Sequence, residues 1–259
     1  MLQVNEIFKN AVEQDSRTFK ARVILGKDIF EGIKSFALNA ASNNSDHISI
    51  GGAVAASIQV KMEATSISLE SKEITLQIGV LSGTEYIYCD LGKFTPEKVN
   101  NDDGIINFCA YDRMYVKFSK AYVSKLEYPA DGKEVLKEIS NMSGVPLASS
   151  IDNLPSGVKI PKRWKETETT YDDEGNEITQ GNYVNPFDGY TMQDALGYVA
   201  QFYGKYCVIN RNGEIELRWY EQADYEISAS RYYDDLKKSE SLFKLGRIQC
   251  DTATVTLLS

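Results

Sequence analysis

The sequence predicts an α+β, β-rich fold in three parts. A β-barrel or tube-like unit with a leading helix covers residues 1–110. A small α+β unit with two related helices covers 111–220, and a β segment over 221–259 begins a further, incomplete barrel. Three observations predict it. Alternating apolar runs recur to about residue 110, with turn signals between them, as in a sandwich or barrel. The hydrophobic period then lengthens to that of a helix near Asp131. Sixty residues later the same helical design returns.

The chain opens with Val4, Ile7, Phe8, Ala11 and Val12 at helical spacing, so a short amphipathic helix is expected over 3–14. Phe19, Ala21, Val23 and Leu25 then alternate with Lys20, Arg22 and Ile24, and Gly26-Lys27-Asp28 turns the chain. Further strands are expected at Ile33–Leu38, Ile48–Ile50, Ser57–Ala64, Ile74–Val80, Thr84–Leu91 and Gly104–Ala110. The polar clusters Asn43-Asn44-Ser45-Asp46 and Asn100-Asn101-Asp102-Asp103 read as loops between them.

In the second part Val135, Leu136, Ile139 and Met142 form an apolar helix face that ends at Gly144, where a helix C-terminus favours glycine. Glu134, Leu136, Ile139, Met142 and Gly144 match Asp194, Leu196, Val199, Phe202 and Gly204 position for position. The second copy continues as a strand over 205–209, a turn at Asn210-Arg211-Asn212-Gly213 and a strand over 214–219. Between the copies, residues 164–184 read as a projecting hairpin. Its segment 165–177 carries six acids and one lysine. It is either a solvated hairpin whose charge discourages edge pairing or an arm that docks a partner.

Composition narrows the function classes. With 28 Lys+Arg against 37 Asp+Glu the net charge is −9, which argues against a nucleic-acid groove as the main purpose. The first residues are not a signal peptide, and the weakly polar run 48–60 is far too short to span a bilayer. Cys89, Cys109, Cys207 and Cys250 never form C-x-x-C and are expected to be reduced, buried thiols.

No catalytic pattern emerges, so neither catalytic, cofactor-binding nor metal-binding residues are assigned, and no cofactor is expected. His47 is the only histidine, which excludes any multi-histidine metal site. Gly51-Gly52-Ala53-Val54-Ala55-Ala56-Ser57 lacks the Gly-Lys-Ser/Thr of a phosphate loop and reads as a strand entry or bulge. Around Gly175 and Gly213 the first calcium-ligand position would fall on Thr170 or Val208. The pairs Asp102/Asp103, Asp172/Asp173 and Asp234/Asp235 read as turn formers. The tyrosines, among them Tyr122, Tyr128, Tyr198 and Tyr203, read as core and interface residues rather than a sugar platform.

The order of motifs is particular. "ILGKDIFEGIKSFAL" and "HISIGGAVAASIQVKME" precede "INFCAYDRMYVKFSKAYVSKLEYPADGKEVLKEISNMSGVPL". The acidic hairpin follows, then "GYTMQDALGYVAQFYGKYCVINRNGEIELRWY". This order, over most of 18–220, resembles the N-terminal module of bacteriophage and prophage tail-tip and baseplate-hub proteins. The resemblance implies a structural virion protein with no catalysis in this region. It implies tail-tube and distal-tail proteins as partners, and a homotrimeric ring in the assembled tail through which DNA passes without specific binding. The short final β segment departs from the family's two full tube domains. The natural chain is therefore expected to continue past Ser259, and the isolated chain to be a monomer. A carbohydrate- or cell-surface-binding module of a tail tip is the alternative, and a hydrolase built from scattered acids is a third, weaker reading.

Overall fold

A computed structural model describes residues 4–14, 16–40, 50–171, 177–219, 248–250 and 253–255. The expected features at His47, Asn43–Asp46, Asp172/Asp173 and Asp234/Asp235 lie outside these residues. The chain divides into two units, 1–219 and 220–259.

The first unit starts with helix α1 (Glu6–Val12), whose first turn is closed by the Asn5 side chain accepting from the Phe8 amide. Strands β1 (Phe19–Leu25), β2 (Asp28–Phe30), β3 (Ile33–Asn39), β4 (Ser57–Glu63), β5 (Ile74–Ser82), β6 (Glu85–Asp102) and β7 (Ile105–Tyr111) form one antiparallel sheet. Its order is β2-β1-β5-β6-β7-β4-β3. Alternation decides which face is buried: along β4, Ile58, Val60 and Met62 point inward while Gln59, Lys61 and Glu63 point out.

The sheet is bent into two halves that share a core. The bend runs through β6, which pairs with β5 as far as Phe94 and with β7 from Thr95 onward. Register shifts lie on both sides of it, opposite Leu76/Gln77 and at Pro96/Lys98. Bulges of this kind let one strand turn a corner between sheet halves. They also accommodate Pro96, which has no amide hydrogen for a ladder. At the other edge only Glu31 and Gly32 separate β2 in one half from β3 in the other. Val23, Ile74 and Leu76 from the first half then meet Ile58, Val60, Met62, Ile106 and Phe108 from the second in one cluster.

The unit is not a closed barrel: β2 and β3 are the two ends of the strand order, and no ladder joins them among the described residues. The edges are linked instead by the covalent chain at Glu31-Gly32, with the Glu63 amide donating to the Gly32 carbonyl at 2.9 Å. The Asn100–Asp103 cluster is not the expected loop either. Strand β6 runs on past Leu91 through Asp102, and the turn is confined to Asp103 (φ +47) and Gly104 (φ +78). Ile50, expected in a strand, sits in a bend.

After β7 come α2 (Arg113–Phe118), β8 (Ala130–Asp131), α3 (Gly132–Ser143), a 3-10 turn (Ser149–Asn153), β9 (Lys159–Ile160), β10 (Arg163–Tyr171) and β11 (Glu177–Val184). Helix α4 (Met192–Phe202), β12 (Tyr206–Ile209) and β13 (Ile215–Arg218) complete the unit. The expected pair of helices is present, and the expected β12–β13 hairpin turns at Asn210–Gly213. Their core gathers Met114, Phe118, Leu136, Ile139, Phe187, Leu196, Val199, Cys207 and Ile215. Phe187 is its hub, with Tyr122, Tyr128 and Tyr198 edge-on at 5.1, 5.7 and 5.6 Å between ring centres.

The small-residue run enters β4 as expected, and it first crosses this second core. Gly51 donates to the Lys205 carbonyl and Gly52 accepts from the Cys207 amide, each at 2.8 Å. A β-carbon on Gly197 of α4 would sit 3.0 Å from the Gly52 α-carbon. Glycine is needed at 197 because the two backbones approach each other there, and at 52 because the chain passes with φ +122.

In the second unit, β14 (Ile248–Cys250) and β15 (Ala253–Val255) form an antiparallel pair, in line with the β character expected for the C-terminal segment.

Candidate interaction surfaces

Asp112 and Arg113 fix the outer surfaces of the first unit relative to one another. Asp112 is buried between β7 and α2 and caps the helix, accepting from the Met114 and Tyr115 amides. It also exchanges bonds with Ala56: the Ala56 amide donates to Oδ2 at 2.9 Å, and the Asp112 amide donates to the Ala56 carbonyl at 3.0 Å. Burial pushes its carboxyl up to about 6, and the three amide donors only partly offset that. The raised value means Asp112 adds stability below the unfolded aspartate value of about 4. That contribution is lost as pH rises through 6. Arg113 forms a two-pronged ion pair with Glu73 at 2.6 and 2.7 Å and donates to the Gly213 carbonyl at 2.7 Å. The sequence reading missed both roles, although an aspartate before an apolar helical run is an N-cap signal.

The two halves of the sheet present different outer faces. On the first half the polar side chains satisfy one another. Lys20 pairs with Glu31 at 2.6 Å, Arg22 donates to Gln77 at 2.6 Å, and Gln77 donates to Asp90. The Arg22 guanidinium stacks 3.5 Å above the Tyr88 ring, which lies across Gly79.

The second half carries Ala37, Gln59, Cys109 and Lys98 in one cross-strand row and Ser35, Lys61, Asn107 and Asn100 in the next. These rows line a shallow concavity of about 590 Å³. Among the described residues, the side chains of Gln59, Lys61, Lys98, Asn100 and Asn107 have no hydrogen-bond or ion-pair partner.

Cys109 is exposed on this face, because it alternates with inward-pointing Phe108 and Ala110. The expectation of buried thiols fails there; Cys89 is half-buried and Cys207 is buried, and all three are unbridged. Cys89 and Cys109 are not cross-strand neighbours: Cys89 faces Ile78, and Cys109 faces Gln59 and Lys98.

The expected hairpin is β10–β11, and it is exposed along its described side chains. Its base is held by Arg163, which donates to the Asp188 carbonyl at 3.3 Å and lies 5.7 Å from the centre of the Tyr190 ring. Trp164 and Tyr183 are cross-strand partners with ring centres 5.1 Å apart, and they are 46% and 66% exposed. Trp164 covers Gly181, where a β-carbon would stand 2.6 Å from the indole.

The candidate chemistry residues fall elsewhere. Asp102 ends β6 and Asp103 forms the adjoining turn, as expected of turn formers. Gly213 packs against the Arg113 guanidinium. Tyr122 and Tyr128 are buried, and their hydroxyls are committed to Glu138 and Ser124. Among the described residues no three or more His, Cys, Asp or Glu side chains are grouped to hold a metal ion, and no helix is long and apolar enough to cross a membrane.

No family model and no curated protein matches the chain. Among solved structures, the tail protein from Neisseria meningitidis MC58 aligns with 77% of this chain at 10% identity and a TM-score of 0.43. The alignment spans 50% of that protein, so this chain corresponds to about half its length. A superposition this loose does not establish a common fold.

Proposed function

We propose that this chain is a structural component of a bacteriophage or prophage tail, in the hub or tip region that connects the tail tube to the distal end. The observation that carries the proposal is the ordered sequence resemblance over residues 18–220, anchored by "AYDRMY…YVSKLEYPADGKEVLKEIS" and "DAL…VAQFYG…VINRNGEIEL". The architecture suits a building block. A bent sheet and an α+β core are tied by Asp112, Arg113 and the 51–56 segment, so load on one is passed to the other. Such a subunit acts through contacts rather than catalysis. Its partners are tail-tube and distal-tail proteins and two further copies of itself in a ring, in a particle assembled in the bacterial cytoplasm.

Deleting the gene from a phage or inducible prophage that encodes it tests this reading. Electron micrographs should show absent or tipless tails, restored by the wild-type chain supplied in trans. Normal, infectious tails from the deletion strain would overturn it. Complete tails that fail only in adsorption would favour the surface-binding alternative.

A further inference from the structure

Resting on that assembly reading, we infer that the outer face of the β3–β4–β7–β6 half receives the acidic β10–β11 hairpin of a second copy of this chain. Gln59, Lys61, Lys98, Asn100 and Asn107 present amide and ammonium donors in two registered rows, unpartnered among the described residues. Glu97 at the rim lies near Tyr115, and its charge holds the Tyr115 hydroxyl above its ordinary range. Donors of this kind are matched by ionised carboxylates, which only accept.

Segment 165–177 holds six acids and one lysine, a net of −5 out of −9 for the chain. The two lysines of the receiving face have no acid of their own. The outer face of the other half already satisfies its charges internally, through Lys20–Glu31 and Arg22–Gln77–Asp90, and offers an acidic arm nothing comparable. The exposed Trp164/Tyr183 pair at the base of the arm adds the aromatic anchors that interfaces favour. Arm and receiving face are different surfaces, so the contact is heterologous, and repeating it generates a ring when the rotation closes.

Cysteine cross-linking with charge exchange tests the contact. Thr167→Cys on the arm, with native Cys109 on the face, is treated with a short bis-maleimide, both in the concentrated chain and in purified tails carrying it. Cys109→Ser is the control. A Cys109-dependent cross-link between copies is expected in at least the tails. Lys61→Glu with Lys98→Glu should cut its yield tenfold or more, and so should Glu166→Lys with Glu168→Lys on the arm. Mixing the two charge-reversed chains should restore it, and raised salt should weaken it in the wild type. Absence of the cross-link from tails that contain the chain would overturn the docking and leave the tail role standing. Failure of the mixed charge reversals to restore it would also overturn the docking. Absence of the chain from tails would count against the tail role itself.

Discussion

Helices α3 and α4 are two versions of one design, and they differ where the fold asks different things of them. Along 131–143 and 191–203 the buried, half-buried and exposed positions coincide, except at 137/197 and 140/200. Val135/Ala195, Leu136/Leu196 and Ile139/Val199 are buried in both, and Met142/Phe202 are exposed in both. Each helix starts at a side-chain cap, Asp131 or Thr191, and is followed by a glycine with positive φ, Gly144 or Gly204. Each is followed by a segment beside the same small hairpin: β12 pairs with β13 on one side, and Leu147 bridges to Ile215 on the other. Ser140 is half-buried where Ala200 is buried; the larger difference is Lys137, exposed on α3, against its counterpart Gly197, buried under Gly52. The apolar stripe thus sets which face a helix buries, and a second neighbour on α4 requires the side chain to vanish.

Exchanging the residues at that position should give the largest effect. Gly197→Lys would push a charged chain into the Gly52 backbone and is expected to cost more than about 4 kcal/mol. Lys137→Gly on the exposed side of α3 should cost only about 1 kcal/mol, the usual helix penalty of glycine. Denaturant titration of both variants checks this; similar losses would mean that the two helices are not packed differently. Next in size, Leu136→Ala and Leu196→Ala should each lose ~2–5 kcal/mol. A loss under 1 kcal/mol at either leucine would break the equivalence.

Removing the caps should cost less. Thr191→Ala, which opens a reciprocal capping box with Asp194, is expected to cost about 1 kcal/mol. Asp131→Ala should cost at least as much, because its carboxylate accepts from both the Lys133 and the Gly157 amides. Thermal midpoints would rank the two. The smallest effects belong to the exposed ends. Met142→Ala should stay within about 0.5 kcal/mol. Phe202→Ala should cost up to about 1 kcal/mol, because its ring touches that of Tyr198 at 5.3 Å between centres.

The same comparison shows what a sequence can disclose. Both helices were legible because the apolar period and terminal glycines are local signals. So were β1, from its alternation, and the acidic hairpin, from two polar strands around a turn. The second half of β6 was hidden because Pro96 and the Asn100–Asp103 cluster are local breakers, and a bulge and a late turn overrule them. The role of Gly51 and Gly52 was hidden for a different reason: the helix they touch lies about 145 residues further along. The donor face was hidden too. Gln59, Lys61, Asn107, Lys98 and Asn100 become neighbours only through the register of β4, β7 and β6.

Quantitative mass spectrometry of purified tails measures most directly whether the chain is built into a tail. The chain should be present in every preparation, at three copies per particle against a tail protein of known copy number. Tails that are complete and infectious yet contain none of it would contradict the account.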